Sequence, residues 1–302
     1  MLGLAVLLLV SITFAVLIGP VPLAPDLVWR VALYQIAPGS VTPDWEAFQQ
    51  NIIWAIRFPR VLLGGMVGAG LAVVGATMQA LVRNPLADPY LLGVSSGASL
   101  GAVAVILLGL SWFGISSLAI AAFLGALLAF GAVYLLALQG GRLTTGRLIL
   151  SGVAVAYVFS ALTNFLIYNA DDGEQVHGVL FWMLGGLGGA RWDYLGLPAL
   201  VLGFGTLYLT IQARALNVLS VGEETAATLG VDTSRFRRQT FALTSLLTGT
   251  LVAVSGGIGF VGLMLPHMLR LLVGADHRRL LPAAALAGAI FLIWVDVLAR
   301  LI

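Results

Sequence analysis

Apolar runs of about twenty residues recur from one end of this chain to the other, and nearly every charge falls between them. A run of that length crosses the hydrocarbon core of a bilayer as a helix, because in lipid each backbone polar group needs a partner within its own segment. Nine spans are predicted, near residues 1–19, 61–82, 90–109, 115–138, 147–168, 193–213, 238–257, 259–274 and 280–301. The eighth is short and carries Pro266, His267 and Arg270. With 60% hydrophobic and 9% charged residues, the chain has too little polar surface to clothe a soluble globule of 302 residues. The mean hydropathy of +1.04 belongs to the whole length, so the expectation is one all-α polytopic transmembrane bundle over 1–302. Met1 to Ile18 lacks the charged leader of a signal peptide, the first basic residue being Arg30, and is expected to remain as an uncleaved span.

All 15 basic residues are arginine, scattered between apolar runs, which argues against a nucleic-acid partner. With no cysteine there is no disulfide framework and no thiolate chemistry. Placing the N-terminus in the cytoplasm puts Arg83, Arg142, Arg147, Arg214, Arg235, Arg237, Arg238, Arg278 and Arg279 on the inner side. Arg30, Arg57, Arg60, Arg191 and Arg300 then lie outside, so the positive-inside bias favours this orientation. It makes the stretch near 20–60 periplasmic and the loop near 214–238 cytoplasmic.

Glycines recur every fourth residue at Gly64/Gly68, Gly93/Gly97/Gly101 and Gly185/Gly189, the interval that lets helix backbones approach closely in lipid. The inner loop contains Ser220, Gly222, Glu223, Glu224, Ala226, Leu229 and Gly230. Ser220 with Glu223 has the pattern of a capping box, and Gly230 suits a C-terminal cap, which predicts a short cytoplasmic helix able to enter a partner's groove.

Four separated motifs, in order, resemble the FecCD family, the membrane subunits of type II ABC importers for ferric siderophores, haem and cobalamin. They are Arg57-Phe58-Pro59-Arg60, Gln79 to Pro89 with Leu92-Gly93-Val94, Gly222 to Val231, and Gly259 to Leu263 with Pro266, His267 and Arg270. The match runs from about residue 50 to 302. The resemblance implies a homodimer of ten-helix subunits, two copies of a cytoplasmic ABC ATPase that bind ATP and Mg, and a periplasmic substrate-binding protein docked outside. A tenth helix would follow Ile302, so the chain is expected to be truncated. No cofactor is expected on the chain itself.

Residue by residue, the resemblance implies coupling to the ATPase through Gly222, Glu223, Glu224, Ala226, Leu229 and Gly230. It implies docking of the binding protein on Arg57, Arg60 and Arg300, where guanidinium can make bidentate contacts with carboxylates. Asn84, Leu86, Thr144 and Thr145 match a cytoplasmic gate. Without the family, Asn84-Pro85 is an ordinary turn and Thr144 an ordinary helix cap.

The fifth span offers Ser151, Tyr157, Ser160, Asn164 and Tyr168 as candidates to line a translocation path. Because these polar groups sit among apolar neighbours, the expected cargo is an iron complex, haem ahead of a ferric siderophore, with cobalamin as the alternative. The chain has no phosphate-binding G-x-x-x-x-G-K-[ST] loop and no lysine, so energy must come from a partner and the chain is not expected to be an enzyme. A secondary transporter is the rival class, and it would need an ionisable residue at mid-membrane, for which Asp296 is the one unclear candidate. His267 is read as structural and His177, beside Asp171, Asp172 and Glu174, as part of a solvated loop, and no metal site is expected.

Overall fold

The computed structural model describes residues 1–110, 117–140 and 142–301. Its helices are α1 (Leu2–Leu17), α2 (Pro25–Ile36), α3 (Ala47–Gln50), α4 (Phe58–Val82), α5 (Val94–Leu108), α6 (Ser117–Ala137), α7 (Thr145–Tyr168), α8 (Gly173–Leu184), α9 (Gly196–Ile211), α10 (Ala213–Val221), α11 (Glu223–Thr228), α12 (Thr233–Ser255), α13 (Val261–Val273) and α14 (His277–Leu301). A hairpin of two-residue strands, β1 (Leu138–Gln139) and β2 (Arg142–Leu143), joins α6 to α7. Each predicted span corresponds to one helix, residues 115 and 116 of the fourth lying outside the described residues.

Among the described residues five helical stretches are long and apolar enough to cross a membrane: Ala47–Val82, Ser117–Ala137, Thr145–Tyr168, Trp192–Ile211 and His277–Leu301. The second predicted span therefore begins fourteen residues too late, at 61 instead of 47. The sequence around Pro59 suggested a break, but the chain passes it by widening into a π-helical stretch, Asn51–Arg57. Pro59 has no N–H to give to the Trp54 carbonyl five residues back. Trp192 supplies the missing donor at 2.7 Å, and its ring stacks on Trp54 with centroids 4.4 Å apart.

α4 is the core of the bundle, buried along almost its whole length against α12, α13 and α14. Small residues make this possible: a Cβ on Gly68 would collide with the Gly288 carbonyl of α14, and one on Gly97 of α5 with the Gly125 carbonyl of α6. At Gly189, by contrast, a Cβ would meet nothing, so the expected packing role does not extend there. α12 is buried despite being rich in threonine. Thr244, Thr248, Thr250 and Ser255 each donate to the carbonyl four residues back, so their hydroxyls reach the interior already paired.

The eighth predicted span is a broken element. α13 has 13 residues, about 20 Å of helix, too short for a bilayer of about 30 Å. A non-helical segment from Gly256 to Phe260 leads into it, held by Tyr90, whose hydroxyl donates to the Ile258 carbonyl at 2.7 Å. Pro266 leaves the Gly262 carbonyl without its helical donor, and the Gln79 amide of α4 approaches it at 3.4 Å and the Leu263 carbonyl at 3.2 Å. Arg270 in turn donates to the Gln79 side-chain oxygen. Irregular backbone is tolerated at such depth because protein groups replace the missing partners.

Polar contacts define two ends of the bundle. Arg60 of α4 pairs with Asp296 of α14 at one end. At the other, Arg237 of α12 meets Glu223 of α11 and the Leu143 carbonyl.

Candidate functional site

Along α7 an open groove of about 600 Å³ is lined by Val153, Ala156, Tyr157, Ser160, Ala161 and Asn164, with Asp88 and Tyr90 from the segment between α4 and α5. Three of the five predicted path residues thus share one surface: Tyr157, Ser160 and Asn164. Ser151 is buried, and Tyr168 is exposed near the end of α7 without lining the groove. These two are corrections: Ser151 falls off the stripe of α7 that faces the groove, whereas Tyr168 lies on that stripe but one turn beyond its last lining residue, Asn164.

Asp88 and Tyr90 were missed because one precedes the predicted third span and the other is its first residue, away from the fifth span that supplied the candidates. Asp88 accepts from the Tyr90 N–H at 2.8 Å, capping a single 3₁₀ turn over Pro89–Leu92, and burial raises its pKa above the usual carboxylate range. Gly93, at φ +69°, then turns the chain into α5 close against Gly152 of α7.

At the Arg237 end the predicted loop helix is present, but its cap differs from the expected one. α10 runs through Ser220, whose hydroxyl donates back to the Leu216 carbonyl, and extended Gly222 breaks the chain before α11. Gly230 does close α11: at φ +81° it donates to Ala227, while Val231 donates to Ala226. Glu224, Leu229 and Gly230 face outward. Ala226 is fully buried, and Glu223 turns inward to Arg237 at 3.0 Å. The expectation that Ala226 faces a partner's cleft is therefore corrected, whereas Glu223 keeps 45% of its side chain exposed while it pairs with Arg237. Ala226 lies on the stripe of a six-residue helix that packs on the bundle, and an arginine is buried beside Glu223.

Asn84 accepts from the Leu86 N–H at 2.9 Å in a tight turn that leaves the Leu86 side chain 70% exposed. Arg83 just before it holds φ +55°, an uncommon conformation for a residue with a side chain. Thr144 is the exposed N-cap position of α7, although its hydroxyl makes no cap bond, and the hydroxyl of Thr145 points inward and is buried. A second tie at this end joins α10 to α14. Asn217 donates to Asp276 at 2.7 Å and accepts from the His277 N–H at 2.9 Å. The Asn217 bond holds the Asp276 carboxyl below its ordinary pKa.

At the Asp296 end the three predicted docking arginines are turned largely into the protein. Arg57 donates to the carbonyls of Val16, Leu17 and Val21 at 2.8–2.9 Å and is only 5% exposed. Arg60 and Arg300 share Asp296, at 2.9 and 3.2 Å, and Arg300 also donates to the Ala15 carbonyl. Arg60 is the most accessible of the set, with 26% of its side chain exposed. Helical phase was again the missing information: three arginines near an outer surface do not disclose which carbonyls end beside them. The same pairing occupies Asp296, the candidate for an ion-coupling site. Among the described residues no group of three His, Cys, Asp or Glu side chains could hold a metal, and His177 and His267 are exposed.

Residues 7–302 match the FecCD transport family. The chain belongs to that family. It is 46% identical over 252 residues to the cobalamin import system permease protein BtuC of Halobacterium salinarum, covering 83% of this chain and 67% of the relative. It is 42% identical over 267 residues to the vitamin B12 import system permease protein BtuC of Citrobacter koseri, covering 88% and 79%. A solved structure described as an inward-facing metal-chelate type ABC transporter superposes with a TM-score of 0.86 at 32% identity, covering 99% of this chain and 89% of that one. This FecCD chain is accordingly a permease subunit of an ABC importer, a multi-pass protein of the inner membrane. It has no ATPase of its own, and a separate subunit hydrolyses ATP.

Proposed function

We propose that this permease carries cobalamin. The supporting observation is that relatives at 46% and 42% identity are cobalamin and vitamin B12 permeases. This displaces the expected iron complex: the preference for haem rested on an apolar path, and a corrinoid, a flat ring edged with neutral amides, fits such a path equally well. Tyr157, Ser160 and Asn164 offer uncharged hydrogen-bonding groups at the groove, while Asp88 and the Tyr90 hydroxyl are already engaged, with the Tyr90 N–H and the Ile258 carbonyl.

In this reading two copies face each other across the path, and two ATPase copies holding ATP and Mg bind the cytoplasmic Arg237 end. Glu224, Leu229 and Gly230 provide the contact surface, while Gly222, Glu223 and Ala226 fix the helix behind it. Asn84, Leu86, Thr144 and Thr145 form the gate. A periplasmic binding protein docks at the Asp296 end, where Arg60 is its accessible guanidinium and Arg57 and Arg300 shape the surface from beneath.

The test is uptake into liposomes containing this permease with its ATPase and binding protein, supplied separately with cyanocobalamin, haem or a ferric siderophore. ATP-dependent accumulation of cyanocobalamin alone is expected. Accumulation of haem or the siderophore with no cobalamin uptake would overturn the assignment.

A further inference from the structure

Arg237 lies one turn into α12 and is completely buried, an expensive position for a charge unless its hydrogen-bonding groups are used. Its partners come from two distant parts of the chain. One guanidinium nitrogen donates at 2.6 Å to the carbonyl of Leu143, the residue just before Thr144 and Thr145. A second donates at 3.0 Å to the carboxylate of Glu223, the first residue of α11, while the buried Nε has no partner among the described residues.

Each partner belongs to a short segment, held otherwise by one buried side chain, Ala226 or Leu143. α11 has six residues and is separated from α10 by the extended Gly222, with Ala226 as its buried residue. Leu143 ends a strand of two residues paired only with β1. The planar fork of arginine reaches both partners at fixed angles, which a lysine ammonium on its single point cannot reproduce.

We infer that Arg237 is a positioning residue that transmits displacement of α11 to the start of α7. This rests on the proposed roles of α11 as the ATPase contact and of Thr144 and Thr145 as the gate. When the ATPase pair pulls α11, Glu223 carries the guanidinium with it, and the Leu143 carbonyl follows. The gate is thereby linked to the motor by one side chain, in addition to the long lever of α12 itself.

The chain has no cysteine, so Thr144→Cys supplies a unique spin-label site in each of two copies. In the full complex with its ATPase, the distance between labels is measured with and without ATP plus vanadate, alongside cyanocobalamin uptake per ATP hydrolysed in unlabelled complex. In otherwise wild-type protein the distance is expected to shift with nucleotide. Arg237→Lys and Glu223→Gln are expected to lose most of the shift and to lower uptake per ATP hydrolysed by about tenfold. Glu223→Gln is nearly isosteric at a half-exposed site, so the test stands even if Arg237→Lys fails to assemble. A full wild-type shift with unchanged uptake per ATP in Glu223→Gln would overturn the inference. A wild-type distance indifferent to nucleotide would instead overturn the gate assignment, and this inference with it. The distance measurement is independent of which cargo the importer takes.

Discussion

At the Asp296 end three guanidinium groups converge on one carboxylate and on the last carbonyls of α1, whereas at the Arg237 end single side chains reach from the bundle to short segments. The first arrangement fastens whole helices. Arg57 and Arg300 take the Ala15, Val16 and Leu17 carbonyls, where the C-terminus of a helix carries partial negative charge, and Arg60 ties α4 to α14. The second fastens α11 through Glu223, α10 through Asn217 and β2 through the Leu143 carbonyl. Redundant ties among long helices make a lock. Single ties to short segments make a joint, which holds one arrangement and can be carried as a unit.

The largest effect should come from breaking the lock. Asp296→Ala leaves Arg60 and Arg300 partly buried without their shared carboxylate, a loss of about 3 kcal/mol. For a chain of 302 residues that lowers the thermal midpoint by roughly 5 °C. Thermal unfolding of the purified protein in detergent measures it. A fall of less than about 1 °C would mean that the two ends are fastened alike, and the comparison would fail.

A smaller and local effect is expected at the joint. Asn217→Ala removes all three hydrogen bonds that tie α10 to Asp276 and His277 at the start of α14. Hydrogen exchange of residues 213–221 should quicken about fivefold while the thermal midpoint moves by less than about 2 °C. If α14 loosened with α10, the segment would be part of the lock.

This division explains what the sequence could and could not disclose. Long apolar runs specify helices by themselves, so each predicted span has a helix at its place, though not always its length, and the Gly230 cap was legible too, because glycine at a helix end answers a local backbone demand. α2 and α8 were not legible, being 12 residues each and of mixed polarity. Nor was the continuation of α4 past Pro59, which depends on Trp192 supplying a donor from 138 positions away. The site shows the same boundary. Glu223 and Glu224 are adjacent acids in one turn, and nothing local says that the first faces a buried arginine on α12 and the second faces solvent. Arg57, Arg60 and Arg300 were correctly placed near one surface, yet their orientation is set by carbonyls of α1 and by Asp296, contacts across 36 to 285 positions.

The smallest expected effect tests whether the outer segment beyond the lock shares its stability. Arg30 of α2 bonds Asp44, lies over the Trp45 ring at 5.5 Å, and is joined there only by exposed partners. Its hydrogen bond holds the Asp44 carboxyl below the ordinary 3.8. A carboxylate whose folded pKa is depressed stabilises above its unfolded pKa and loses that contribution as the pH falls through the folded value. Protection of residues 25–50 against hydrogen exchange should therefore be flat from pH 8 to about pH 5, once corrected for intrinsic rates, and should decline below about pH 4. Asp44→Asn should remove the pH dependence and raise local opening by no more than about fivefold, since an exposed pair contributes little. The Asp296 contacts should be indifferent to this change. If Asp44→Asn also lowered the thermal midpoint by several degrees, α2 would belong to the lock, and the outer face would be one rigid surface from Arg30 to Arg300.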